Sequence, residues 1–418
     1  MKKLKIALIG LGQRGRGLLN NIVNMDDIEI VAVCDEYADR NEDTAKFIQE
    51  KMGNTPITST NSRDIISIKG IEAVVISAAW EAHVDLAVSA MRAGIYVGLE
   101  VGGGYDVEDC WRLVRTSEET GIPCMMLENC CYGQNEMMCL NLAKKGIFGE
   151  IVHCDGGYRH DLCNEILSGN EIRHYRLRNY MLRNCDNYPT HQLGPICKLL
   201  NINNGNRMVS LVSVASKSVG LQSRALETRG ADDTLSNTRF IQGDVVTTII
   251  RCAGGETIKL TLDTTLPRPY SRGFVVCGTK GCFEEANQSL FLEENDAEKY
   301  EKDDFDWSKS WGNVKEYAKT YDHPLWKRYQ EEGVKEGHGG MDWLVLRAFF
   351  ESAAAKIDPP IDVYDAAAWM SISTLSEDSI AMGGLPVAIP DFTRGKWVNP
   401  KPKKYIEDYR LDIIPDIK

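Results

Sequence analysis

Three glycines between a predicted strand and a predicted helix constrain the fold of this chain more than any other feature. Gly10, Gly12 and Gly15 follow the apolar run Leu4–Ile9 with the spacing G-x-G-x-x-G, and apolar residues with helical periodicity come next. At these positions the first glycine permits a tight turn, the second lets the backbone approach a bound group closely, and the third allows close packing of helix on strand. The sequence therefore predicts the first strand–turn–helix unit of a doubly wound parallel sheet.

A second apolar run, Ile28–Val33, leads to an acidic residue, Asp35. Free N–H groups at the start of a helix favour a pyrophosphate, and a carboxylate after the second strand accepts hydrogen bonds from the adenine ribose. The same carboxylate repels a 2′-phosphate. This arrangement predicts that NAD(H) is bound in preference to NADP(H), although Arg14 in the turn could give some tolerance for NADP(H).

Apolar strands alternate with helical patterns as far as residue 128, which is typical of a parallel sheet covered on both faces. Ligands of such sheets bind at the carboxyl ends of the strands. We therefore expect Trp80, His83, Glu100 and Asn129 to face one crevice. For His83, a packing or helix-capping role is the alternative to lining the nicotinamide site.

The pattern changes after this point, where longer strands with alternating apolar residues begin. Alternation of this kind indicates a mostly antiparallel sheet with one open face. We predict an α/β chain with two domains: an NAD-binding Rossmann domain over residues 1–128, and an α/β domain for substrate binding and oligomerisation over residues 129–418. The C-terminal helices are candidates for packing back on the Rossmann domain.

The overall charge limits the partners of the chain. A net charge of −12 argues against nucleic acid and anionic membranes, and no apolar run approaches the length of a membrane span. The start of the sequence lacks the pattern of a secretory signal, so a cytoplasmic protein is expected. The 13 cysteines lack paired C-x-x-C spacing, which predicts buried thiols and neither a disulfide framework nor a metal site.

One turn brings two proton-transfer groups together. Tyr188-Pro189-Thr190-His191 places a tyrosine three residues before a histidine, and both side chains can exchange protons near neutral pH when their pKa values are suitable. The turn is therefore a candidate catalytic element. The alternative is a structural turn in which Thr190 caps a helix over residues 192–200.

Three further residues are candidates for substrate contact. Tyr158 ends a predicted strand, Arg176 lies in a long polar insertion over residues 160–205, and Tyr270 is presented between prolines. Long insertions in compact domains are usually functional. Each residue also has an alternative role without substrate contact. Tyr158 could be an aromatic residue of an edge strand, Arg176 could face solvent, and Tyr270 could be a structural turn residue. His338 lies in a glycine-rich segment and is expected either to close over a site or to cap a helix.

The order of these elements resembles the Gfo/Idh/MocA oxidoreductase superfamily, in which a Rossmann domain precedes an open-faced α/β domain. Members often carry Glu-Lys-Pro where this chain has Glu100-Val101-Gly102, so the lysine that usually relays protons is absent here. This departure argues against a simple sugar dehydrogenase.

A closer resemblance covers nearly the whole chain. The motifs G-L-G-Q-R-G-R-G, E-N-C-C-Y-G, G-G-Y-R-H-D, Y-P-T-H-Q-L-G-P, L-N-I-N-x-G-x-R and G-H-G-G-M-D are similar to those of the NAD-dependent glycosidases of family 109, whose founding activity is α-N-acetylgalactosaminidase. The resemblance implies two groups of site residues. Those for NAD are Gln13, Arg14, Asp35, Trp80, His83, Glu100, Val101 and Asn129; those for the sugar are Tyr158, Arg176, Tyr188, Pro189, Thr190, His191 and Tyr270.

The family chemistry implies a redox-neutral cycle on a hexoside such as an N-acetylgalactosaminide. Oxidation at sugar C3 acidifies the C2 proton, the C1 substituent is eliminated, water adds, and C3 is reduced again. Tyr188 or His191 would move protons at C3 or C2, and Tyr158 would act near C1 or C2. The alternatives are an NAD-dependent sugar or inositol dehydrogenase and a catalytically silent NAD or sugar sensor.

Two further expectations concern assembly and specificity. A small carbohydrate is the expected partner, and a homo-oligomer, dimer or tetramer, is the expected state. The family commonly has glycine after the motif histidine, where this chain has Gln192. A larger side chain there is expected to narrow or retune the sugar pocket.

Overall fold

The computed structural model describes residues 2–300, 307–335 and 337–413, which form two compact units. The N-terminal unit holds the chain as far as Tyr132, together with Tyr329–Ser371 and Lys401–Leu411. The C-terminal unit is built from Gly133–Arg328 and Ile372–Pro400.

Strands and helices alternate through the first 126 residues. In chain order they are β1 Leu4–Ile9, α1 Gln13–Ile22, β2 Ile28–Cys34, α2 Ala38–Met52, β3 Ile57–Ser59, α3 Ser62–Ile66, β4 Ala73–Ile76, α4 Trp80–Arg92, β5 Tyr96–Leu99, α5 Val107–Thr120 and β6 Cys124–Met126. The six strands pair in parallel in the order β3-β2-β1-β4-β5-β6. This is the doubly wound sheet that the sequence predicts.

The sheet forms because its strands are apolar on both faces. Leu8, Val75 and Val97 are completely buried, as expected where helices cover both sides of a parallel sheet. Local interactions set the two ends of α5. At its start, Asp106 accepts a hydrogen bond from the Asp109 N–H at 2.7 Å, and at its end Gly121 adopts the left-handed conformation.

The remaining elements follow in chain order. They are α6 Gln134–Lys144, β7 Ile151–Arg159, α7 Cys163–Leu167, α8 Arg176–Leu182, α9 Thr190–Leu199, β8 Met208–Ala215, α10 Gly220–Arg229, β9 Val245–Cys252, β10 Thr257–Asp263, β11 Val275–Gly278, β12 Gly281–Glu284, β13 Ser289–Leu292, α11 Glu293–Tyr300, α12 Val314–Tyr321, α13 Pro324–Glu332, α14 Met341–Ala355, α15 Val363–Ala381 and β14 Val387–Ala388.

The second sheet has eight strands in the order β13-β12-β11-β7-β10-β9-β8-β14. Among the described strands, β7 and β10 pair in parallel, and the other pairs are antiparallel. In β9, Val246 and Ile250 are buried, whereas the intervening Ile249 is half exposed. The sheet therefore has one covered and one open face, which confirms the predicted mostly antiparallel architecture.

Two stretches differ from the sequence prediction. The predicted polar insertion 160–205 contains three helices, α7 to α9. The apolar residues of α7 and α8 pack into a buried cluster with Tyr158, and α9 corresponds to the helix considered for residues 192–200. The acidic and aromatic sequence of residues 296–319 predicts a surface excursion, but its first residue, Asp296, is buried and accepts hydrogen bonds from the Leu292 N–H at 2.9 Å and the Tyr317 hydroxyl at 2.5 Å. Residues 301–306 of that stretch lie outside the described chain.

No helix in the described part of the chain is both long enough and apolar enough to cross a membrane.

Helix α9 packs on β7 through a matched pair of residues. Gln192 is fully buried, and a Cβ atom added to Gly156 would lie 2.4 Å from its Cγ. Gly156 therefore leaves the space that the longer side chain fills. The Gln192 side chain lies between helix and sheet, so we interpret the departure from the family glycine as a packing change rather than a direct change in the sugar pocket.

Gly156→Ala should lower the free energy of unfolding by about 1–3 kcal/mol, because the added methyl group overpacks the α9–β7 interface. Gln192→Ala should relieve that clash, so that the double variant is more stable than the two single effects predict. Denaturant unfolding of the four proteins measures the coupling. Additive effects would show that the two residues do not share this space.

Candidate active site

The glycine turn after β1 leaves no room for side chains. Gly10 has φ +93°, and a Cβ atom there would lie 2.3 Å from the Ala78 nitrogen; a Cβ atom on Gly15 would lie 2.1 Å from the Gly10 oxygen. Gly12 is the N-cap of α1, and the first turn of that helix contains no acidic residue. Backbone N–H groups at such a helix start suit a pyrophosphate, so the turn fits the dinucleotide predicted from its spacing.

Asp35 fixes the same turn from the end of β2. Its buried carboxylate accepts hydrogen bonds from the Leu11 N–H at 2.7 Å and the Tyr37 N–H at 3.1 Å. Arg40 places its Nη1 3.5 Å from an Asp35 oxygen and stacks over the Tyr37 ring. Arg40 is therefore the arginine beside the predicted ribose carboxylate, a position that its sequence context did not reveal.

Arg14 is held by two carboxylates instead. Its guanidinium donates to Glu100 at 2.8 Å and to both oxygens of Asp342 at 2.8 and 3.0 Å. This geometry contradicts the expectation that Arg14 supplies tolerance for a 2′-phosphate, because its donors are directed at Glu100 and Asp342. Asn129 also donates to Asp342, at 2.8 Å.

His338 completes this cluster, with its Nδ1 2.7 Å from Asp342. Burial alone would raise the pKa of Asp342, but His338 and Arg14 together hold it well below its usual range. The carboxylate is therefore charged at neutral pH. The glycine-rich segment thus supports Arg14 and the glycine turn through Asp342. Helix α14 has Gly340 as its N-cap residue and no side-chain cap, so His338 does not cap it, and closure over a site stays a prediction.

Trp80 and His83 support the loop after β5. The two ring nitrogens of His83 lie 3.0 Å from the Gly102 and Ala78 carbonyl oxygens, and burial lowers the pKa of this histidine. A Cβ atom on Gly102 would lie 2.5 Å from the Trp80 ring nitrogen. Val101 is buried and donates its N–H to Glu100 at 3.3 Å. The packing role considered for His83 is therefore evident, and its contact with a cofactor stays a prediction.

Gly15→Ala should weaken NAD binding at least tenfold, because the methyl group would displace the Gly10 carbonyl and open the turn. Gly17→Ala is the matched control in the same helix, since an added Cβ meets no described atom within 4 Å. It should keep NAD affinity and add about 0.5–1 kcal/mol of stability. Calorimetric titration with NAD would contradict this view if both variants bound equally well.

Four predicted substrate residues meet in the C-terminal unit. The rings of Tyr158 and Tyr188 lie 4.4 Å apart, and that of His191 lies 4.7 Å from Tyr188 and 5.3 Å from Tyr158. Tyr270 is 6.3 Å from Tyr158 and half exposed. β7 positions Tyr158 and the start of α9 positions His191. The turn and the strand end therefore form one cluster of hydroxyl and imidazole groups.

His160 belongs to the same cluster, although it was not among the predicted site residues. Its Nδ1 lies 3.0 Å from the Tyr158 hydroxyl, and its ring lies 5.2 Å from that of Tyr270. Burial and the positive charge of Arg176 lower the pKa of His160, which favours the neutral ring. The signal was available in the sequence, because His160 lies two residues after Tyr158, directly after the end of β7, and residues two apart in an extended chain share a face.

Arg176 begins α8 and is buried beside the cluster. Its guanidinium carbon lies 5.2 Å from the centre of the Tyr188 ring, and Nη1 lies 3.3 Å from Glu165. An arginine held in this way can orient a polar ligand group while it stacks on an aromatic face. This buried position favours the predicted substrate contact of Arg176 over the alternative, in which its side chain faces solvent.

The catalytic turn candidate is fixed from behind by buried polar groups. Asp186 donates its N–H to Ser376 at 2.8 Å, and Asn187 donates to Gln242 at 3.2 Å. Helix α9 begins at Thr190, with Pro189 as its N-cap residue. Capping by Thr190, which was the alternative to a catalytic turn, is not found, since its buried hydroxyl makes no hydrogen bond to the described residues.

Asp186 is a buried carboxylic acid behind this turn. Burial raises the pKa of Asp186 to about 7, although the Thr248 hydroxyl and the Tyr188 N–H oppose the shift. Within the described chain, its Oδ2 has no hydrogen-bond partner. A carboxylic acid in this setting resists ionisation until the pH approaches neutrality.

Asp186→Asn should increase stability relative to the parent protein progressively between about pH 4 and pH 7. In the parent, the folded acid keeps its proton while the unfolded one, with its pKa near 3.9, loses it; stability therefore falls as pH rises through this range. The difference should change by up to about 4 kcal/mol and level off above pH 7. Chemical unfolding across this pH range measures it, and a pH-independent difference would contradict the assignment.

Comparisons with protein families agree with the two-part architecture. The model described as "Oxidoreductase family, NAD-binding Rossmann fold" matches residues 4–127, and the model described as "Glycosyl hydrolase 109, C-terminal domain" matches residues 132–399. The fold and the site together define an NAD-dependent enzyme of the Gfo/Idh/MocA type, with a glycosidase domain following the Rossmann domain.

Full-length relatives make the assignment more specific. A "Glycosyl hydrolase family 109 protein" of Stenotrophomonas maltophilia is 37% identical over 96% of this chain and 91% of its own length. An "Alpha-N-acetylgalactosaminidase" of Tannerella forsythia is 38% identical over 96% of this chain and 88% of its own. The chain belongs to glycosyl hydrolase family 109, as its motifs predicted, and is a glycosidase.

Solved structures of similar fold are dehydrogenases. A myo-inositol 2-dehydrogenase from Lactobacillus plantarum has a TM-score of 0.64 with 15% identity, covering 93% of this chain and 100% of that chain. A levoglucosan dehydrogenase in complex with NADH and L-sorbose has a TM-score of 0.64 with 17% identity, covering 94% and 100%. At this identity the likeness shows the shared fold.

Proposed function

We propose that this enzyme hydrolyses an N-acetylgalactosaminide, or a closely related hexoside, by oxidation, elimination, water addition and reduction within one catalytic cycle. The observation that carries the proposal is the cluster of Tyr158, Tyr188 and His191, with rings 4.4 to 5.3 Å apart, in a chain whose other unit is an NAD-binding domain. The aminosugar comes from the activity named for the Tannerella forsythia relative.

NAD, when bound, supplies reversible hydride transfer at sugar C3. The residues proposed to hold it are those of the glycine turn, at the end of β2 and around the β5 loop: Gly10, Gly12, Gln13, Arg14, Gly15, Asp35, Trp80, His83, Glu100, Val101 and Asn129. Among them, Glu100 and Asn129 support Arg14 and Asp342, so part of their effect on binding is expected to come through the shape of the turn.

The proton transfers are assigned to the aromatic cluster. Tyr188 or His191 removes and returns protons at C3 and C2, and Tyr158 acts near C1 or C2. The Tyr158 hydroxyl lies 3.0 Å from His160, whose neutral ring can take up the tyrosine proton. Arg176 and Tyr270 orient the sugar, and Pro189 and Thr190 set the direction of the turn.

We further propose the domain boundary between residues 128 and 129, a cytoplasmic location, and a homodimer or homotetramer. Thirteen cysteines present as thiols suit a reducing compartment.

Val214, Ile249 and Leu385 are each at least half exposed, and apolar exposure of this kind favours an interface between copies. Light scattering of the protein as it elutes from a sizing column measures its molar mass and tests the oligomeric state. The mass of a monomer at the concentration used for activity measurements would refute the proposed homo-oligomer.

A panel of nitrophenyl glycosides tests the reaction class. The proposal expects release of nitrophenol without net NADH formation, and loss of activity when NAD is stripped from the protein. NADH formation in step with substrate consumption would instead identify a sugar or inositol dehydrogenase. Tight NAD binding with neither outcome would identify a sensor.

Isotope exchange tests the elimination step. A substrate carrying deuterium at C2 should lose the label to solvent during turnover, because the base removes that proton before the C1 substituent leaves. Mass spectrometry of the released sugar measures the exchange. Full retention of deuterium would rule out elimination across C1 and C2.

Tyr188→Phe and His191→Asn should each lower kcat by about 10²–10⁴ while NAD affinity is unchanged, because each removes a proton-transfer group. Tyr321→Phe is the matched control, since that tyrosine stacks on Tyr317 in the same unit, outside the cluster. Steady-state kinetics and NAD titration separate the two effects. Equal losses in all three variants would contradict the assigned roles.

A further inference from the structure

Two thiols face each other across the β11–β12 hairpin. Cys277 and Cys282 are directly opposite in the antiparallel register, with their sulfur atoms 4.0 Å apart. All 13 cysteines lie within the described residues, and these two alone among them are partly exposed, whereas the other eleven are buried. The pair therefore combines proximity with access to solvent.

The backbone already has the spacing that a disulfide requires. Opposite residues in an antiparallel pair have Cα atoms about 4.5–5.5 Å apart, which lies within the range of about 4.4–6.8 Å found in disulfides. Shortening the sulfur separation from 4.0 Å to the bond length of about 2.05 Å then needs side-chain rotation rather than movement of the strands.

The two thiols differ in reactivity. The hydrogen bond between the two thiols lowers the pKa of Cys277 to about 7, against the effect of burial, and the neighbouring His153 adds to the lowering. The same interaction raises the pKa of Cys282. His153 lies opposite Cys277 on β7, with its ring nitrogens near Thr257 and Asp155. Cys277 is therefore the thiol that ionises first.

We propose that Cys277 and Cys282 form a reversible thiol–disulfide site, at which low-molecular-weight disulfides oxidise the enzyme. The Cys277 thiolate attacks one sulfur of the small disulfide, the reagent's S–S bond breaks, and one small thiol leaves. Cys282 then loses its proton to solvent and attacks the Cys277 sulfur, which expels the second small thiol. Two protein thiols are thus oxidised, and one small disulfide is reduced to two thiols.

The position of the pair in the chain favours reversibility. Only the hairpin residues 278–281 separate the two cysteines, and their strands are already paired. A cross-link that closes so short a loop removes less entropy from the unfolded chain than one that closes a long loop. The bond is therefore expected to respond to the thiol–disulfide balance of its surroundings rather than to act as a permanent stabilising link.

The test uses the reduced full-length protein in glutathione buffers of increasing oxidation, with mass spectrometry of the intact chain and of its peptides. The parent protein should lose two hydrogen atoms, mapped to a Cys277–Cys282 link, and regain them with a thiol reductant. Cys282→Ser should stop at one glutathione attached to Cys277. Cys277→Ser, its matched control in the same hairpin, should gain at least about tenfold less glutathione in the same time.

Iodoacetamide labelling of the folded parent protein is the second measurement, and it needs no variant. At pH 7, Cys277 should be alkylated at least about tenfold faster than the buried cysteines. The proposal is overturned if the pair remains reduced in oxidised glutathione while the unfolded chain reacts, if the link maps to other cysteines, or if Cys277 labels no faster than the buried thiols.

Discussion

The missing side chains at Gly10 and Gly15 are the steric condition on which the N-terminal unit depends. They let the turn after β1 approach the end of β4, where the Ser77 hydroxyl donates to the Gly10 oxygen at 2.8 Å. From the other side, the Asp35 carboxylate at the end of β2 accepts the Leu11 N–H. Because the turn is held by both neighbouring strands, its N–H groups have fixed directions before a dinucleotide arrives. Binding then costs little reorganisation, which is the general advantage of a preformed site.

The same turn is connected to a distant part of the chain. Arg14 leaves the turn and pairs with Glu100 and Asp342, and His338 and Asn129 complete the arrangement. Two carboxylates around one guanidinium give Arg14 a single orientation, since its planar donors match both partners. The segment that carries Asp342 is therefore part of the cofactor-binding unit, although it lies more than 300 residues from the glycines.

The sequence predicts most of the fold because the decisive signals are local. The strand Leu4–Ile9 has the predicted bounds, and the second strand, predicted over Ile28–Val33, ends one residue later at Cys34, since apolar runs depend only on neighbouring residues. Helices α7 and α8 were not predicted, because their sequence becomes helical through burial in a cluster with Tyr158. Tertiary packing overrides a weak local preference there.

The candidate site also has one part that the sequence predicts and another that it does not. Tyr158, Tyr188, His191 and Tyr270 were expected to contact one substrate and do lie together. The residues that hold them are of another kind: Asp186 depends on hydroxyl groups from β9 and α15, and Gln192 on a missing Cβ at Gly156. Such partners are far apart in the chain, and a single sequence gives no sign of which distant residues will meet. Only the folded structure identifies them.

The chemistry of the cluster also explains how a glycosidase can work with tyrosines and histidines. Hydrolysis by direct displacement relies on a carboxylic acid and a carboxylate at the glycosidic bond. When C3 is first oxidised, the adjacent C2 proton becomes acidic, and a base no stronger than imidazole or a tyrosine oxygen can remove it. Elimination then needs proton transfer at short range rather than a charged nucleophile. Tyr158, Tyr188 and His191, with rings in mutual contact and His160 beside them, provide groups of that kind.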